Sequence, residues 1–338
     1  MLIHTGYPIK NYNSFHLNVK AKYFAEINEE SDLVSLLTDE NFTTSKKLFL
    51  GGGSNILFSG DFEGIVLKNN LKGITIAEET EEYALVDAAG GEKWDDLVNF
   101  CVERKLYGIE NLSGIPGTVG AAPIQNIGAY GTELKDVFHS LEGYFIDGMK
   151  KGYFDYSDCS FGYRQSVFKE RFKNSFFISK VRIRLSKLHR LHLNYRDLRE
   201  IFKDQPKENI TIGEVRESIL GIRQDKLPDP LEFGNAGSFF KNPEISNRTL
   251  KELREKYPDI VHFKVDENTV KIPAAWLIEK CGLKGYRLGR VATHSKQPLV
   301  IINLGSASSK EITDFAEFIQ AKVNKKFKID LIPEVNII

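Results

Sequence analysis

Apolar residues recur along the chain with two different periods, and the switches between them mark the elements. "KKLFL", ending at Leu50, and "GIVLK" (Gly64–Lys68) are short apolar runs closed by glycine or asparagine, which predicts strands separated by tight turns. "GITIA" and "YALVDAAGG" repeat that pattern. In "EKWDDLVNFCVERK" the period becomes helical, with Trp94, Leu97, Val98 and Cys101 on one face. A Gly/Pro-rich stretch follows, Gly108–Leu134; its embedded apolar residues predict backbone wrapped closely around something rather than a linker. Strands are expected again at "SLEGYFI" and "FFISKVRIRL", then a helix at "TIGEVRESILGIRQDK".

The chain changes character at "LPDPLEFGNAGSFFKNP". Beyond it, "NRTLKELREKY" and "IPAAWLIEKCG" predict helices and "PLVIINL" a buried strand. Ser308 stands three residues before Glu311, a capping box, and the helix it opens places Ile312, Phe315, Ile319 and Val323 on one face. The closing "IDLIPEVNII" predicts a strand. The class is α+β. Its 338 residues exceed one ordinary core, so two or three domains are expected, with boundaries near residues 71 and 217.

Charge removes several functions from consideration. Lys plus Arg and Asp plus Glu number 46 each, so no global field would hold nucleic acid or an anionic membrane. No run approaches the roughly 20 apolar residues of a membrane span, and "MLIHTGYPIKNYNSF" lacks a signal core, so a soluble intracellular protein is expected. Cys101, Cys159 and Cys281 form no CxxC pair, which fits a reducing cytoplasm. The seven histidines include one close pair, His189 and His192, with no acidic or thiol set to complete a metal site; no metal is expected.

An anion site must then be built locally. "LFLGGGSNIL" runs from a strand into Gly51, Gly52, Gly53, Ser54 and Asn55, whose backbone N–H groups can form a nest for a phosphate. It is neither a Walker loop nor the spaced dinucleotide fingerprint, and a plain tight turn is the competing reading. "SGIPGTVGAAPIQNIGAYG" could grip the other end of the same diphosphate, which points to a dinucleotide such as FAD. In "GNAGSFFKNP", Ser238 sits between Gly237 and Phe239, which is not the G-x-S-x-G elbow of a hydrolase. A proton relay or a turn cap remains, with pattern alone favouring the cap. In "FGYRQSVFK", Arg164 and Lys169 lie among aromatics: either a solvated strand edge or a fork onto a carboxylate. Arg223 and Lys226 precede a rigid turn and read as surface charge, while Glu334 in "IPEVNII" reads as an acid that an alternating strand points at solvent.

Taken in order, "GGGSN", "ENLSGIPGTVGAAPIQNIGAYGTEL", "FGYRQSVFK", "KLPDP", "GNAGSFFKNP" and "PEV" resemble one family, the UDP-N-acetylenolpyruvoylglucosamine reductases, from about residue 12 to the C-terminus. "LNYRDL" and the form "FGYRxSxFK" look like its longer, type I version. The resemblance implies an FAD-binding fold of the vanillyl-alcohol-oxidase (PCMH) type in two subdomains, residues 1–71 and 72–217, plus a C-terminal α+β substrate-binding domain, 218–338, whose last strand is free to return to the first. It implies non-covalent FAD on the loops Gly51–Asn55 and Ile115–Ala122 (Ile115, Pro116, Gly117, Gly120 and Ala121 among them), with Arg223 also at the cofactor. It implies NADPH as hydride donor and hydride delivery by way of FAD to the β-carbon of the enolpyruvyl ether.

By the same resemblance, Arg164 and Glu334 stabilise the enolate-like state at the substrate carboxylate, and Ser238 protonates the α-carbon. Glu334 then needs surroundings that raise its pKa. Tyr163, Tyr195, Lys226 and Asn242 match substrate-holding positions. Two departures stand out. Ala121-Ala122 stand where relatives often carry Ser-Ser or Gly-Ala, so any hydroxyl bond to the cofactor is lost there, and Asn336 stands where arginine is expected after "PEV". The expected partner is a small nucleotide sugar, on a cytoplasmic monomer that binds neither nucleic acid nor membrane. A flavin-dependent small-alcohol oxidase is the alternative, weakened because no histidine or cysteine lies in the glycine loops to tether a flavin.

Overall fold

Short β-branched runs bounded by glycine fold as strands over Lys47–Leu50, Phe62–Asn69, Ile74–Glu79, Tyr83–Ala89, Phe138–Phe145, Phe176–Ser186 and Val300–Asn303. The computed structural model describes residues 1–39, 42 and 44–338, the side chain of Leu37 excepted. Among them the chain divides into two units: Met1–Tyr7, Ala21–Gly53 and Phe62–Asp225, and Pro8–Lys20, Ser54–Asp61 and Lys226–Ile338. The division does not follow chain order, because two short N-terminal segments belong with the C-terminal third.

The first unit is built on two sheets. One has the order Ile3–Pro8, Lys20–Ile27, Phe62–Asn69, Lys47–Leu50, and its last three strands run parallel. Phe62–Asn69 lies between neighbours and is buried almost throughout, which explains its unbroken apolar run. Helix α1, Glu30–Thr38, follows the strand Lys20–Ile27 and lies outside the expected helices. It is capped by Glu29 and Asp32 reciprocally, without the Ser or Thr that usually marks a start. The other sheet is antiparallel, in the order Lys151–Asp155, Phe138–Phe145, Phe176–Ser186, Tyr83–Ala89, Ile74–Glu79.

Helix α2, Trp94–Glu103, lays Trp94, Leu97, Val98 and Cys101 into the core of the second sheet, as its spacing predicts. Burial pushes the thiols of Cys101 and Cys159 up to about 12, so both behave as inert core residues. Helix α3 (Arg196–Ile201) and helix α4 (Ile212–Lys226) share a small core of Leu193, Leu198, Phe202, Ile210, Val215 and Ile219. Helix α4 runs without a break through position 217.

The second unit contains a sheet in the order Gly234–Ser238, Val300–Asn303, Val291–Thr293, Arg287–Leu288, and the helices α5 (Asn247–Lys256), α6 (Ala274–Lys280) and α7 (Ser309–Phe327). The box at Ser308 and Glu311 forms, and Arg290 forks onto the same Glu311 carboxylate at 2.9 and 2.6 Å. That fork, with the Ser308 N–H and hydroxyl, holds Glu311 down to about 2. Ile312, Phe315, Ile319 and Val323 are all buried.

The expected C-terminal strand is largely absent: within 329–338 only Asn336–Ile337 is a strand, pairing parallel with Ile56–Leu57. Upstream of it Pro333, which has no amide hydrogen, reduces pairing to a single bridge with Phe240.

Candidate active site

The strand Lys47–Leu50 ends in glycines because nothing larger fits. A Cβ on Gly51 would fall 2.4 Å from Thr118 Oγ1, and one on Gly52 would fall 2.8 Å from the Gly117 Cα. The two glycine loops are therefore pressed backbone to backbone. Gly53 turns the chain with φ +66. The loop continues into Ser54 and Asn55, which belong to the second unit.

Residues 90–95 act as a rail for the second loop. Trp94 Nε1 donates to Leu112 O at 3.0 Å, and Trp94 N donates to Gly117 O at 3.1 Å. Val119 N donates to Glu92 O and Gly120 N to Gly90 O, at 2.9 and 2.8 Å. Ile115 and Pro116 form the tip between these anchors, with Pro116 exposed. None of the hydrogen bonds among the described residues uses the N–H of Gly51, Gly52, Gly117 or Thr118. Thr118 Oγ1 is buried there without a partner among the described residues. Unspent donors on two abutting glycine loops suit the pyrophosphate of a dinucleotide, and Thr118 offers a hydroxyl in the loop where Ala121-Ala122 have none. The residues present fit FAD.

Arg164 lies on a turn rather than on the strand edge that was one reading of "FGYRQSVFK". Gly162 and Gln165 exchange two backbone hydrogen bonds at 3.1 and 3.2 Å, and Arg164 is left-handed at φ +53. A β-strand cannot hold that angle, and a non-glycine residue there is uncommon, found at strained or functional positions. Arg164 Nη2 donates to Gly128 O at 2.7 Å, and its guanidinium lies 5.7 Å from the centre of the Tyr163 ring. Tyr195, 42% exposed, packs its ring edge-on to Tyr130 at 5.2 Å. Arg223 also meets Tyr130: burial pushes the guanidinium down, and the hydrogen-bonded Tyr130 hydroxyl and Asp95 oppose this. Surface charge is thus the wrong reading for Arg223, which is half-buried, whereas Lys226 is exposed.

In the second unit the strand Gly234–Ser238 carries a bulge between Asn235 and Ser238. Gly237 is left-handed at φ +68, and its N–H is held by Asn235 Oδ1 at 2.9 Å. Past the bulge Ser238 pairs with Val300 as the last residue of the strand, and the next two residues, Phe239 and Phe240, are 1% exposed. Glu334 N donates to Phe239 O at 2.8 Å, so the acid is stitched next to the residue that follows Ser238. Glu334 is 9% exposed, which overturns the solvent-facing reading.

Asn55 Nδ2 donates to Glu334 O at 3.4 Å, and Asn336 returns bonds from N and Nδ2 to Asn55 O, both at 3.1 Å. Asn336 thus ties Asn55 to the end of the chain within the second unit. Asn242 Oδ1 accepts from Ala274 N at 2.9 Å, capping α6 and leaving its amide nitrogen as the donor.

Three residues of this neighbourhood escape the sequence reading: Asp95, Tyr130 and Arg216. Asp95 Oδ1 accepts from Gly114 N at 2.6 Å, and Arg216 forks onto the same carboxylate at 2.7 Å through each nitrogen. The available signal was the spacing 216, 220, 223, one face of α4. No group of three or more metal-ligating side chains exists among the described residues. Among the described residues no helix is long and apolar enough to cross a membrane.

Glu110, 1% exposed, precedes the second loop and accepts from Gly108 N at 2.7 Å. Burial pushes its carboxyl up, against the pull of those N–H groups and His192. A carboxyl with a raised folded pKa contributes stability while neutral and loses it as pH rises through that pKa. Glu110→Gln cannot ionise, so its melting temperature relative to wild type is expected to climb from pH 5 to pH 8. Scanning fluorimetry across that range checks it; a flat difference would mean that Glu110 titrates at its ordinary value.

The twinned glycine loops, together with a match of residues 21–149 to the FAD binding domain, make this a flavin-binding α+β protein. Residues 229–338 match the C-terminal domain of UDP-N-acetylenolpyruvoylglucosamine reductase. A reductase of that name from Bacteroides fragilis (strain YCH46) is 41% identical over 332 residues, 98% of this chain and 99% of the relative. One from Pseudomonas aeruginosa is 42% identical over 329 residues, 97% of each. The solved reductase from Thermus caldophilus shares the fold, with TM-score 0.67 at 21% identity over 99% of this chain and 98% of that one. The chain belongs to the UDP-N-acetylenolpyruvoylglucosamine reductase family, and the small-alcohol oxidase alternative is not favoured.

Proposed function

We propose that the chain reduces the enolpyruvyl group of UDP-N-acetylglucosamine enolpyruvate with NADPH, giving UDP-N-acetylmuramate for peptidoglycan precursor synthesis. The observation that carries the reading is the backbone stitch between Glu334 and Phe239, which sets a buried acid beside the segment bearing Ser238. The chemistry that bound FAD supplies is hydride transfer, accepted from NADPH and passed to the double bond. Gly51, Gly52, Gly53, Ser54 and Asn55, the loop Ile115–Ala121 and Arg223 would hold that cofactor.

Saturating the double bond requires one hydride on the β-carbon and one proton on the α-carbon, so the chain must hold transient negative charge and then quench it. Arg164, its fork oriented by Gly128 O, balances charge gathering on the substrate carboxylate. Glu334 acts at the same group and must be protonated, or must orient a donor, to help. The Ser238 hydroxyl donates the proton to the α-carbon and recovers one from water. Tyr163, Tyr195, Lys226 and Asn242 hold the nucleotide sugar, with Asn242 presenting its amide nitrogen. The protein works as a cytoplasmic monomer on this small substrate and binds no nucleic acid.

The test is spectroscopic. Purified protein is expected to be yellow, to bleach with NADPH in the absence of oxygen, and to regain colour when UDP-N-acetylglucosamine enolpyruvate is added. Protein that takes up no FAD, or colour that the enolpyruvyl substrate fails to restore, overturns the reading.

A further inference from the structure

The segment that carries Ile115, Pro116 and Gly117 begins at Gly114, and three constraints meet on that residue. Its backbone is left-handed, φ +69, and its N–H is held by the Asp95 carboxylate at 2.6 Å. A side chain there would have to displace its neighbours on α4: a Cβ would lie 2.9 Å from Leu220 Cδ2 and 3.1 Å from Arg223 Nε. The same carboxylate takes both Arg216 nitrogens at 2.7 Å. Arg216, Leu220 and Arg223 are four and three residues apart on α4, so one helix face bears on Gly114. Arg216 is 12% exposed and Asp95 35%, so the guanidinium is mostly buried while the carboxylate keeps partial contact with water.

We propose that Asp95 and Arg216 are a positioning pair for the cofactor: they set the entry of the second glycine loop and tie it to the helix that carries Arg223. Neither residue is a catalytic one in this scheme. The inference rests on the reading that loop 115–121 holds FAD. The logic is mechanical. The Gly114 N–H, held by Asp95, and the Gly117 carbonyl, held by Trp94 N, are two fixed points that flank Ile115 and Pro116 and help set their direction. Asp95 controls the first of these, and Arg216 keeps Asp95 ionised and aimed. Burial works to raise the Asp95 carboxyl, but the Arg216 fork and the Gly114 N–H outweigh it and hold it below the usual carboxylate range. Loss of either partner frees the loop entry and lets α4 shift relative to it.

The test measures FAD binding to apoprotein by flavin fluorescence, beside the melting temperature of the same apoprotein. Asp95→Asn and Arg216→Met are each expected to raise the FAD dissociation constant about tenfold, with the double variant no weaker than either single one. Arg216→Lys, which keeps the charge but loses the fork, should weaken binding by a smaller factor. It supplies the measurement if the other variants fail to fold. A purely structural pair would lower the apoprotein melting temperature and leave the dissociation constant unmoved, and that result overturns the proposal. Additive single effects overturn it as well. Gly52→Val separates the two levels: if that variant binds FAD normally, the loop is not the cofactor site and the pair falls with it.

Discussion

Ser238→Ala is expected to lower turnover of the enolpyruvyl substrate by about 10³-fold, the span of a lost general acid, while anaerobic bleaching by NADPH proceeds at the wild-type rate. The split follows from what the substitution removes. The hydroxyl leaves no large cavity, since Ser238 is only half-buried at the end of its strand. The bulge and the left-handed Gly237 that present it are backbone features that alanine at 238 does not disturb. Only the second half-reaction needs a proton at carbon. Stopped-flow absorbance of the two half-reactions checks it, and equal losses in both would remove Ser238 from the donor role.

Gly52→Val is expected to weaken FAD binding by about 100-fold or more, on the scale of a few kcal/mol for forced overpacking. Here the obstacle is main chain. A Cβ at 52 would meet the Cα of Gly117 at 2.8 Å and its C and N at 3.4 Å, and the rail along residues 90–94 prevents that backbone from retreating. Gly60→Val, at a site with nothing within 4 Å, is the control and should leave the affinity unchanged. Far-UV circular dichroism of both apoproteins distinguishes loop separation from unfolding. Retained flavin in Gly52→Val would mean that the two loops do not share a ligand.

The local elements were legible because helix and strand repeat their geometry every few residues. The face of α7 and its capping box, and the four buried residues of α2, needed no information from elsewhere in the chain. Helix α1 escaped because its cap is an unusual Glu-Asp pair. The C-terminal strand was overread because apolar alternation across Pro333 does not disclose a missing ladder. Glu334 illustrates the limit of a period of two: alternation says which residues share a face, not whether that face is covered.

Residue type and order alone determined the glycine loops as anion-binding candidates, the cytoplasm-compatible thiols, the helices with one apolar face, and, through six phrases in sequence, the family. Tertiary structure alone decided that Gly52 must be glycine because Gly117 lies against it, and that Arg164 sits in a left-handed turn. It alone joined Pro8–Lys20 and Ser54–Asp61 to the C-terminal third, and it set Asp95 on Arg216, 121 residues away. A period records only the bond geometry within one element. Which two distant surfaces meet depends on the shape and charge of both at once, and that appears only when they pack.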